Sequence, residues 1–271
     1  FGGGLDRIRR RTITLEGAGE GLPFSSILSM CEDRDGVIWA VTQNGVLAHK
    51  TNGVWSAIPT DSQWPGDATC VAADGTGSLW IGTHLRGLFC YRDGHFVNWG
   101  DVRKLDGKTL HTLLVDKKGG VWIGQETPTA IWHLQDGKLE DFPVPPNSRI
   151  IRAMVEDAAG NIWAGTSKGV LLRVANGKLE EVTPRPDQEL ASIRCLAATP
   201  DGALWIGFAG WGVGCIKDGK YAEINSGQGL FDDYVSHIVP DERGWLWFAA
   251  NRGIFKVRRS ELEAVAQGQI S

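Results

Sequence analysis

The chain has 271 residues, of which 28 are basic and 32 are acidic, so its formal net charge at pH 7 is −4. A charge this close to balance predicts no basic surface for nucleic acid, and no apolar run of about 18 residues or more indicates a membrane span. Length and composition agree with one all-β domain whose core is distributed among repeated units.

Tryptophan recurs at intervals of 41 or 42 residues and closes the same short phrase each time. The phrase is an aspartate, a turn that ends in glycine, an apolar residue and the tryptophan, usually with Gly-Thr shortly after it. The six repeat tryptophans are Trp39, Trp80, Trp122, Trp163, Trp205 and Trp247. A fixed period of this length indicates a repeat architecture.

Within one unit, apolar residues alternate or cluster between turn residues, which is the pattern of strands. In the fourth unit the predicted strands are residues 151–157, 161–166, 169–174 and 178–182, joined by tight turns rich in glycine and asparagine. Four strands in a unit of about 42 residues predict an antiparallel blade of an all-β propeller. One blade cannot bury both of its apolar faces, so blades stack and we expect the repeat tryptophans to fill the space between them.

In chain order, residues 1–22 predict the two outer strands of an incomplete blade, because Gly4-Leu5 aligns with Gly87-Leu88 and no repeat tryptophan precedes it. Six complete four-stranded blades are predicted at residues 23–60, 65–100, 107–143, 149–184, 191–225 and 233–265. We expect residues 1–271 to form a single propeller domain of the seven-bladed type, a fragment whose two missing strands lie outside this sequence. The alternative is a six-bladed ring with an appended N-terminal hairpin.

Four of the five cysteines lie ten residues to either side of a repeat tryptophan, as the pairs Cys70 with Cys90 and Cys195 with Cys215. These offsets place each pair on the first and third strands of one blade, about 10 Å apart, whereas a disulfide needs Cα atoms within about 7 Å. We expect reduced, buried cysteines that pack as small apolar residues.

The sequence predicts no metal site, cofactor or catalytic residue. The aspartate-rich turns lack the glutamate of a calcium loop, and the six histidines have no metal-binding spacing. No spacing supports a catalytic triad. Function is therefore expected on the face that carries the loops between second and third strands and the loops between successive blades.

Potential cations stand eleven residues before the repeat tryptophan in three consecutive units, as His111, Arg152 and Arg194. Innermost strands line the central channel of a propeller, so these residues predict a basic mouth for an anionic ligand such as a uronate, a carboxylate or a phosphate. The alternative is that each arginine pairs with a nearby carboxylate or with carbonyls of the next blade.

Trp64 and Trp211 stand outside the repeat series and are candidates for stacking on a sugar ring. The neighbours Gly210 and Gly212 are expected to leave the Trp211 ring exposed. The alternative is that each tryptophan covers the end of a blade. The remaining candidates for ligand binding are His84, Arg86, His237, Asn251 and Arg252.

The phrase D-x-x-G-x-[IVL]-W-[AVIF]-[GA]-T, followed by a Gly-Val or Gly-Leu strand, resembles the two-component regulator propeller repeat. The linkers GEGLPFSSI and GQGLFDDYV resemble the joint that precedes these repeats. The segment DERGWLWFAANRGIFKVRRSELEAVAQGQIS is similar to a late repeat in which a short helical turn follows the strand. The resemblance covers nearly the whole chain. Departures from Gly-Thr occur in the units of Trp39, Trp122, Trp205 and Trp247.

This resemblance implies the extracytoplasmic sensor region of a bacterial membrane signalling protein, in which propellers precede a β-sandwich, one membrane helix and a histidine kinase or diguanylate cyclase. It implies a small-molecule ligand, typically an oligosaccharide, and neighbouring propeller and sandwich domains of the same chain as partners. Signalling would follow from dimerisation or rearrangement. The family's ligand residues do not transfer, because the shared motif is scaffold.

Two other functions stay open at this point. Streptogramin lyases use similar propellers, and His111, His237 and Glu126 are the candidates for a metal-assisted lyase site. A protein interaction platform would instead expose apolar area on the loop face.

Overall fold

The computed structural model describes residues 16–59, 66–99, 104–184 and 191–269. Most of the predicted N-terminal half blade, residues 1–15, and Trp64 lie outside the described residues. Within them, six antiparallel sheets follow one another along the chain, each with its strands in sequence order. The prediction of a propeller built from antiparallel blades is confirmed, and a seventh blade stays a proposal.

Blade 1 holds β1 (Ile27–Glu32), β2 (Ile38–Thr42), β3 (Leu47–Thr51) and β4 (Val54–Ala57). Blade 2 holds β5 (Ala68–Ala73), β6 (Leu79–Thr83), β7 (Leu88–Arg92) and β8 (His95–Asn98). Blade 3 holds β9 (Leu110–Val115), β10 (Val121–Gln125), β11 (Ala130–Gln135) and β12 (Lys138–Pro143). Blade 4 holds β13 (Ile151–Glu156), β14 (Ile162–Thr166), β15 (Leu171–Ala175) and β16 (Lys178–Glu181). Blade 5 holds β17 (Ile193–Ala198), β18 (Leu204–Phe208), β19 (Val213–Lys217) and β20 (Lys220–Ile224).

Blade 6 departs from the predicted complete blade. Among the described residues it holds only β21 (Val235–Pro240), β22 (Trp245–Ala250) and β23 (Gly253–Arg258), and the helix α1 (Arg259–Ala266) follows where a fourth strand was expected. The segment after Arg258 is rich in the helix formers Glu, Leu and Ala and has no strand alternation. Leu262 is buried and joins the core between blades 5 and 6, so the helix covers that end of the interface.

The first strand of each blade is innermost. Each of these strands packs against the first strand of the next blade, from β1 through β5, β9, β13 and β17 to β21. Cores lie between blades: one cluster joins Trp80 and Cys90 of blade 2 to Ile123 of blade 3, and another joins Trp163 of blade 4 to Ile206 of blade 5. Four repeat tryptophans are at most 8% exposed, whereas Trp39 and Trp247 are half-buried.

The aspartate of the repeat phrase ties the hairpin turn to the tryptophan. In blade 4, one carboxylate oxygen of Asp157 accepts from the amides of Ala159 and Asn161, and the other accepts from the Trp163 indole at 2.8 Å. The same indole bond forms in blades 1, 2, 3 and 6. Blade 5 has Thr199 at this position, and the buried Trp205 indole nitrogen has no partner.

The glycine two residues after the repeat tryptophan packs closely against the next blade. A Cβ added at Gly165 would lie 2.3 Å from Ile193 of blade 5. One at Gly124 would lie 3.0 Å from Ile151 of blade 4 and 2.6 Å from Thr112 of its own blade. Blade 1 has Val41 here, and its partner in the first strand of blade 2 is the small Ala68. The volume at one position therefore compensates for the volume at the other.

All five cysteines are free, as expected, because the middle strand separates the members of each pair. Burial raises the pKa of the thiols of Cys70, Cys195 and Cys215 to about 12.

Candidate functional site at the channel mouth

A β-bulge recurs at the second residue of every innermost strand. In blade 4, Ile151 pairs with Thr166 and Ala153 pairs with Gly165, so Arg152 is the extra residue between them. The equivalent bulge residues of the other blades are Leu28, Thr69, His111, Arg194 and Ser236. Bulges re-aim a side chain out of the sheet pattern. The ring identified in the sequence by its spacing is therefore a ring of bulge residues at one end of the channel.

In blade 3, the carboxylate of Glu126 lies beside this ring. The Nε2 atom of His111 lies 3.0 Å from a carboxylate oxygen of Glu126, and about a third of each side chain is exposed. The Glu126 amide donates to the Thr109 carbonyl at 3.0 Å, which anchors the loop after β10 to the start of β9. The Thr109 hydroxyl lies 3.2 Å from Nδ1 of His84 of blade 2. Three predicted residues are thus gathered around one loop.

The two arginines of the ring differ from that pair. Arg152 and Arg194 are exposed, and no carboxylate among the described residues forms an ion pair with either one. Their strands, β13 and β17, pack directly against each other, so the two guanidinium groups belong to adjacent blades. Two guanidinium groups on adjacent blades can together bind a carboxylate or phosphate through charge-assisted hydrogen bonds.

An aromatic shelf stands beside blade 6, and of its residues the sequence predicted only Arg252 as a ligand-binding candidate. We define it as Phe231, Tyr234 and Arg252; the two rings are 45% and 51% exposed. The Arg252 guanidinium lies 4.7 Å from the centre of the Phe231 ring and donates to the Phe231 carbonyl at 3.0 Å. The Arg252 amide donates to Asp232 at 2.7 Å. Phe231 and Tyr234 carry no repeat signal, and only their position in the linker GQGLFDDYV before a first strand marks them.

The loop that carries Trp211 is hydrogen-bonded to Asp233, which lies between the shelf residues Phe231 and Tyr234 in the sequence. The amides of Gly210 and Gly212 both donate to the Asp233 carbonyl, at 3.0 and 2.8 Å. The expectation of an exposed Trp211 ring is wrong, because the ring is half-buried against the core between blades 4 and 5, 6.3 Å from the Phe208 ring. The two glycines give the loop its positive φ angles rather than exposing the indole.

The remaining candidates are exposed but are not drawn into one cluster. Arg86 and Asn251 lie in loops of blades 2 and 6, and His237 lies on β21. Among the described residues no group of three or more His, Cys, Asp or Glu side chains is arranged to hold a metal ion. His111 and His237 thus have no third potential ligand in the described part of the chain.

One cavity among the described residues lies away from the channel mouth. It has a volume of about 730 Å³ and separates the outer strands of blade 5 from α1, with Tyr221 and Gln267 on its walls. Lys217 at its edge bonds Asp201 at 2.6 Å and Glu263 at 3.1 Å. The ion pair with Glu263 holds α1 against blade 5. The cavity is therefore part of the interface between the helix and the blade, and we do not assign it as the ligand site.

The two component regulator propeller family matches residues 21–44 and 145–168, which contain the repeat phrases of Trp39 and Trp163. The resemblance predicted from the sequence is confirmed for these two repeats. No curated protein matches the chain.

Solved structures share the fold. The extracellular domain of the putative hybrid two component system BT3049 from B. thetaiotaomicron is 21% identical with a TM-score of 0.73, and the match covers 89% of this chain and 34% of that one. The extracellular domain of the putative one component system BT4673 from the same organism is 21% identical with a TM-score of 0.70, over 87% and 33%. Virginiamycin B lyase from Staphylococcus aureus is 14% identical with a TM-score of 0.68, over 86% and 84%. The chain thus spans about a third of the two sensor domains. No helix in the described ranges is long and apolar enough to cross a membrane.

Proposed function

We propose that this chain is the ligand-binding propeller of an extracytoplasmic sensor, and that its ring has seven blades. The proposed ligand is an anionic carbohydrate, an oligosaccharide or uronate, bound at the channel mouth. Occupancy would pass to a kinase or cyclase output domain through neighbouring propeller and sandwich domains or through a homodimer. The matches to regulator propeller repeats and to two sensor extracellular domains support this proposal.

The observation that carries the ligand class is the pair of bulge arginines on adjacent blades, neither of which forms an ion pair with a carboxylate in the described part of the chain. Arg152 and Arg194 would bind the carboxylate of a uronate residue. Glu126 would accept a hydrogen bond from a sugar hydroxyl, since a carboxylate bonded to His111 through one oxygen keeps further acceptor sites. An uncharged sugar would leave the two arginines without a partner.

The aromatic shelf supports a sugar rather than a bare anion. Tyr234 precedes β21, and the strand before it in the ring is β17, which carries Arg194. Exposed aromatic rings with polar rims suit sugar faces, because the ring covers the C–H groups while neighbouring polar groups bond the hydroxyls. The ligand would therefore extend from the arginines across the mouth toward blade 6.

The test is titration of the 271-residue chain with oligogalacturonides, with neutral oligosaccharides of equal length as the comparison. We expect binding of the acidic series alone, weakened at least tenfold by Arg152→Ala or Arg194→Ala and weakened further by added salt. Arg34→Ala is the matched control, because Arg34 is exposed in the turn at the opposite end of blade 1. Equal binding by the variants and the wild type would reject the arginine site.

A lyase is the second candidate, favoured by the match to virginiamycin B lyase and by the His111–Glu126 pair. Such a pair can move a proton when it contacts substrate. Conversion of an acidic oligosaccharide or of virginiamycin B, abolished by Glu126→Gln with binding retained, would replace the sensor proposal. Binding without turnover would support the sensor.

A further inference from the structure

A buried carboxylate lies directly beneath the aromatic shelf. Asp232 is only 6% exposed, and each of its two carboxylate oxygens accepts a backbone hydrogen bond. One oxygen accepts from the Tyr234 amide at 2.9 Å, and the other accepts from the Arg252 amide at 2.7 Å. A buried carboxylate is stable only when such donors replace water. The Asp232 side chain therefore joins the linker before blade 6 to the loop between β22 and β23.

The two amides that Asp232 accepts belong to shelf residues. The Tyr234 ring packs over Gly210 of blade 5, where an added Cβ would lie 3.2 Å from the ring. The Arg252 guanidinium stands over the Phe231 ring and donates to the Phe231 carbonyl, which is the residue next to Asp232 in the chain. All three members of the shelf are thus held by bonds that meet at Asp232 or beside it.

The linker before blade 1 shows that this backbone folds without the aspartate. Both linkers contain a 3-10 turn, a glycine with a positive φ angle and a buried leucine, which are residues 18–22 in one and 226–230 in the other. The residue equivalent to Asp232 is Phe24, which is 39% exposed. The shared backbone therefore forms with either residue, and the buried carboxylate occurs in the linker that carries the shelf.

We infer that Asp232 is a positioning residue of the carbohydrate site. It holds the Tyr234 ring and the Arg252 guanidinium in one arrangement before a sugar arrives. Less side-chain freedom is then lost on binding, and affinity rises because this cost is smaller. The inference rests on the carbohydrate site proposed above. It adds a residue that acts on the sugar only through its neighbours, since both of its oxygens are already bonded to backbone amides.

The adjacent Asp233 offers a matched control. Its carboxylate accepts from the Ser226 amide and from the Ser226 hydroxyl, both at 2.6 Å. A hydroxyl accepts as readily as it donates, so the side-chain amide in Asp233→Asn can keep both bonds. In Asp232→Asn the new NH₂ group faces a backbone N–H, which cannot accept, and one of the two bonds is lost. The two variants have the same change of charge and volume but differ in the bonds they retain.

The binding test compares galacturonic acid with trigalacturonic acid on the 271-residue chain. The monosaccharide should contact the arginines alone, whereas the trisaccharide should extend to the shelf and bind more tightly. We expect Asp232→Asn to weaken trisaccharide binding at least about fivefold without weakening monosaccharide binding. Asp233→Asn should weaken neither. Loss of a negative charge by itself would strengthen the binding of an anionic sugar in both variants, so the sign of the change separates positioning from electrostatics.

Hydrogen exchange of the ligand-free chain measures the positioning without any sugar. The Tyr234 and Arg252 amides both donate to Asp232. We expect the amide that loses its acceptor in Asp232→Asn to exchange at least about fivefold faster than in the wild type. Both amides should exchange at the wild-type rate in Asp233→Asn. A variant that loosened the whole domain would instead accelerate exchange in every blade.

Two results would overturn the inference. One is unchanged exchange of both amides in Asp232→Asn. The other is trisaccharide binding that Asp232→Asn leaves as tight as in the wild type, or that Asp233→Asn weakens equally. Failure of the wild-type chain to bind either sugar would reject the proposed function and the ligand named here. The exchange measurement needs no ligand, so it decides separately whether Asp232 holds the shelf.

Discussion

The indole nitrogen of Trp163 donates a 2.8 Å hydrogen bond to the same Asp157 side chain that accepts two backbone amides of the β13–β14 turn. One carboxylate thus satisfies a buried side-chain donor and closes the hairpin that carries it. Five of the six described blades repeat the arrangement. This bond explains why an aspartate stands six residues before a tryptophan in the repeat phrase.

Replacing that aspartate should destabilise the domain. In Asp157→Ala, the Trp163 indole and two turn amides lose their acceptor, and we expect a loss of about 1–3 kcal/mol in the free energy of unfolding for the buried donor left unsatisfied. Urea denaturation followed by tryptophan fluorescence measures it. Asp35→Ala is the control, since Asp35 is exposed in the equivalent turn of blade 1, and it should change stability by no more than about 0.5 kcal/mol. Equal effects of the two variants would contradict the role of the indole bond.

Blade 5 offers the converse experiment. Trp205 is fully buried and its indole nitrogen has no partner, because Thr199 replaces the aspartate. Thr199→Asp should supply the acceptor and stabilise the domain by about 1 kcal/mol. The comparison variant Thr199→Val offers no acceptor and should be neutral or destabilising. A lower melting temperature in Thr199→Asp would show that repulsion between the new carboxylate and the nearby Asp201 costs more than the new hydrogen bond contributes.

The turn aspartates also predict an acid dependence of stability. Burial opposes ionisation of Asp157, but hydrogen bonds from the Trp163 indole and Asn161 outweigh it and hold its pKa below the usual value. Burial also opposes ionisation of Asp74, but hydrogen bonds from backbone amides and from Thr76 outweigh it and hold the pKa of this carboxyl below its usual value. Their contribution to stability is present above the unfolded-state pKa near about 4 and is lost as the pH falls through the lower folded-state pKa.

Urea midpoints measured between pH 6 and pH 2 test this dependence. We expect the midpoint of the wild-type chain to fall steeply below about pH 4. Asp157→Asn removes one titrating group and should give a shallower slope. An identical slope in the variant would assign the acid loss to other carboxylates.

The buried thiols predict insensitivity to oxidation and alkylation. With pKa values raised to about 12 by burial, Cys70 and Cys195 hold almost no thiolate at pH 8. We expect iodoacetamide to modify them only after denaturation, and dithiothreitol to leave the melting temperature unchanged. Mass spectrometry of the native and the urea-treated protein measures the modification. Rapid labelling of Cys70 in the native protein would contradict its burial.

The architecture follows from the sequence because its information is repeated. The spacing of the tryptophans and the turn chemistry predicted strands in the fourth unit within two residues of those observed. The bulge ring was located by register alone, since one residue at a fixed offset from each tryptophan must occupy the same place in every blade. The period predicted a complete sixth blade. This prediction was wrong after Arg258, because the helix there does not follow the repeat.

The site is less predictable because its residues are not repeated. Trp211 was expected to be exposed between two glycines, yet the two amides beside it bond Asp233 and fold the ring onto the core. Phe231 and Tyr234 became candidates only when their exposure was known. Exposure of a linker residue depends on contacts with the neighbouring blade, and these contacts leave no periodic signal in the sequence.

The glycine of the repeat phrase gives a prediction about coupling between blades. In Gly165→Val the added atoms meet Ile193 of blade 5, and overpacking at this fully buried contact should cost about 1–3 kcal/mol. Ile193→Ala should cost about 2–5 kcal/mol through the cavity it leaves. The double variant recreates the Val41–Ala68 pair found between blades 1 and 2. We therefore expect it to be at least about 1 kcal/mol more stable than the sum of the single effects predicts, measured as a double-mutant cycle by urea denaturation.

As a control, Gly165→Val combined with Leu113→Ala, on the innermost strand of blade 3, should be additive. Additive losses for Gly165→Val with Ile193→Ala would mean that the glycine is required by the backbone of blade 4 and not by the volume of its neighbour.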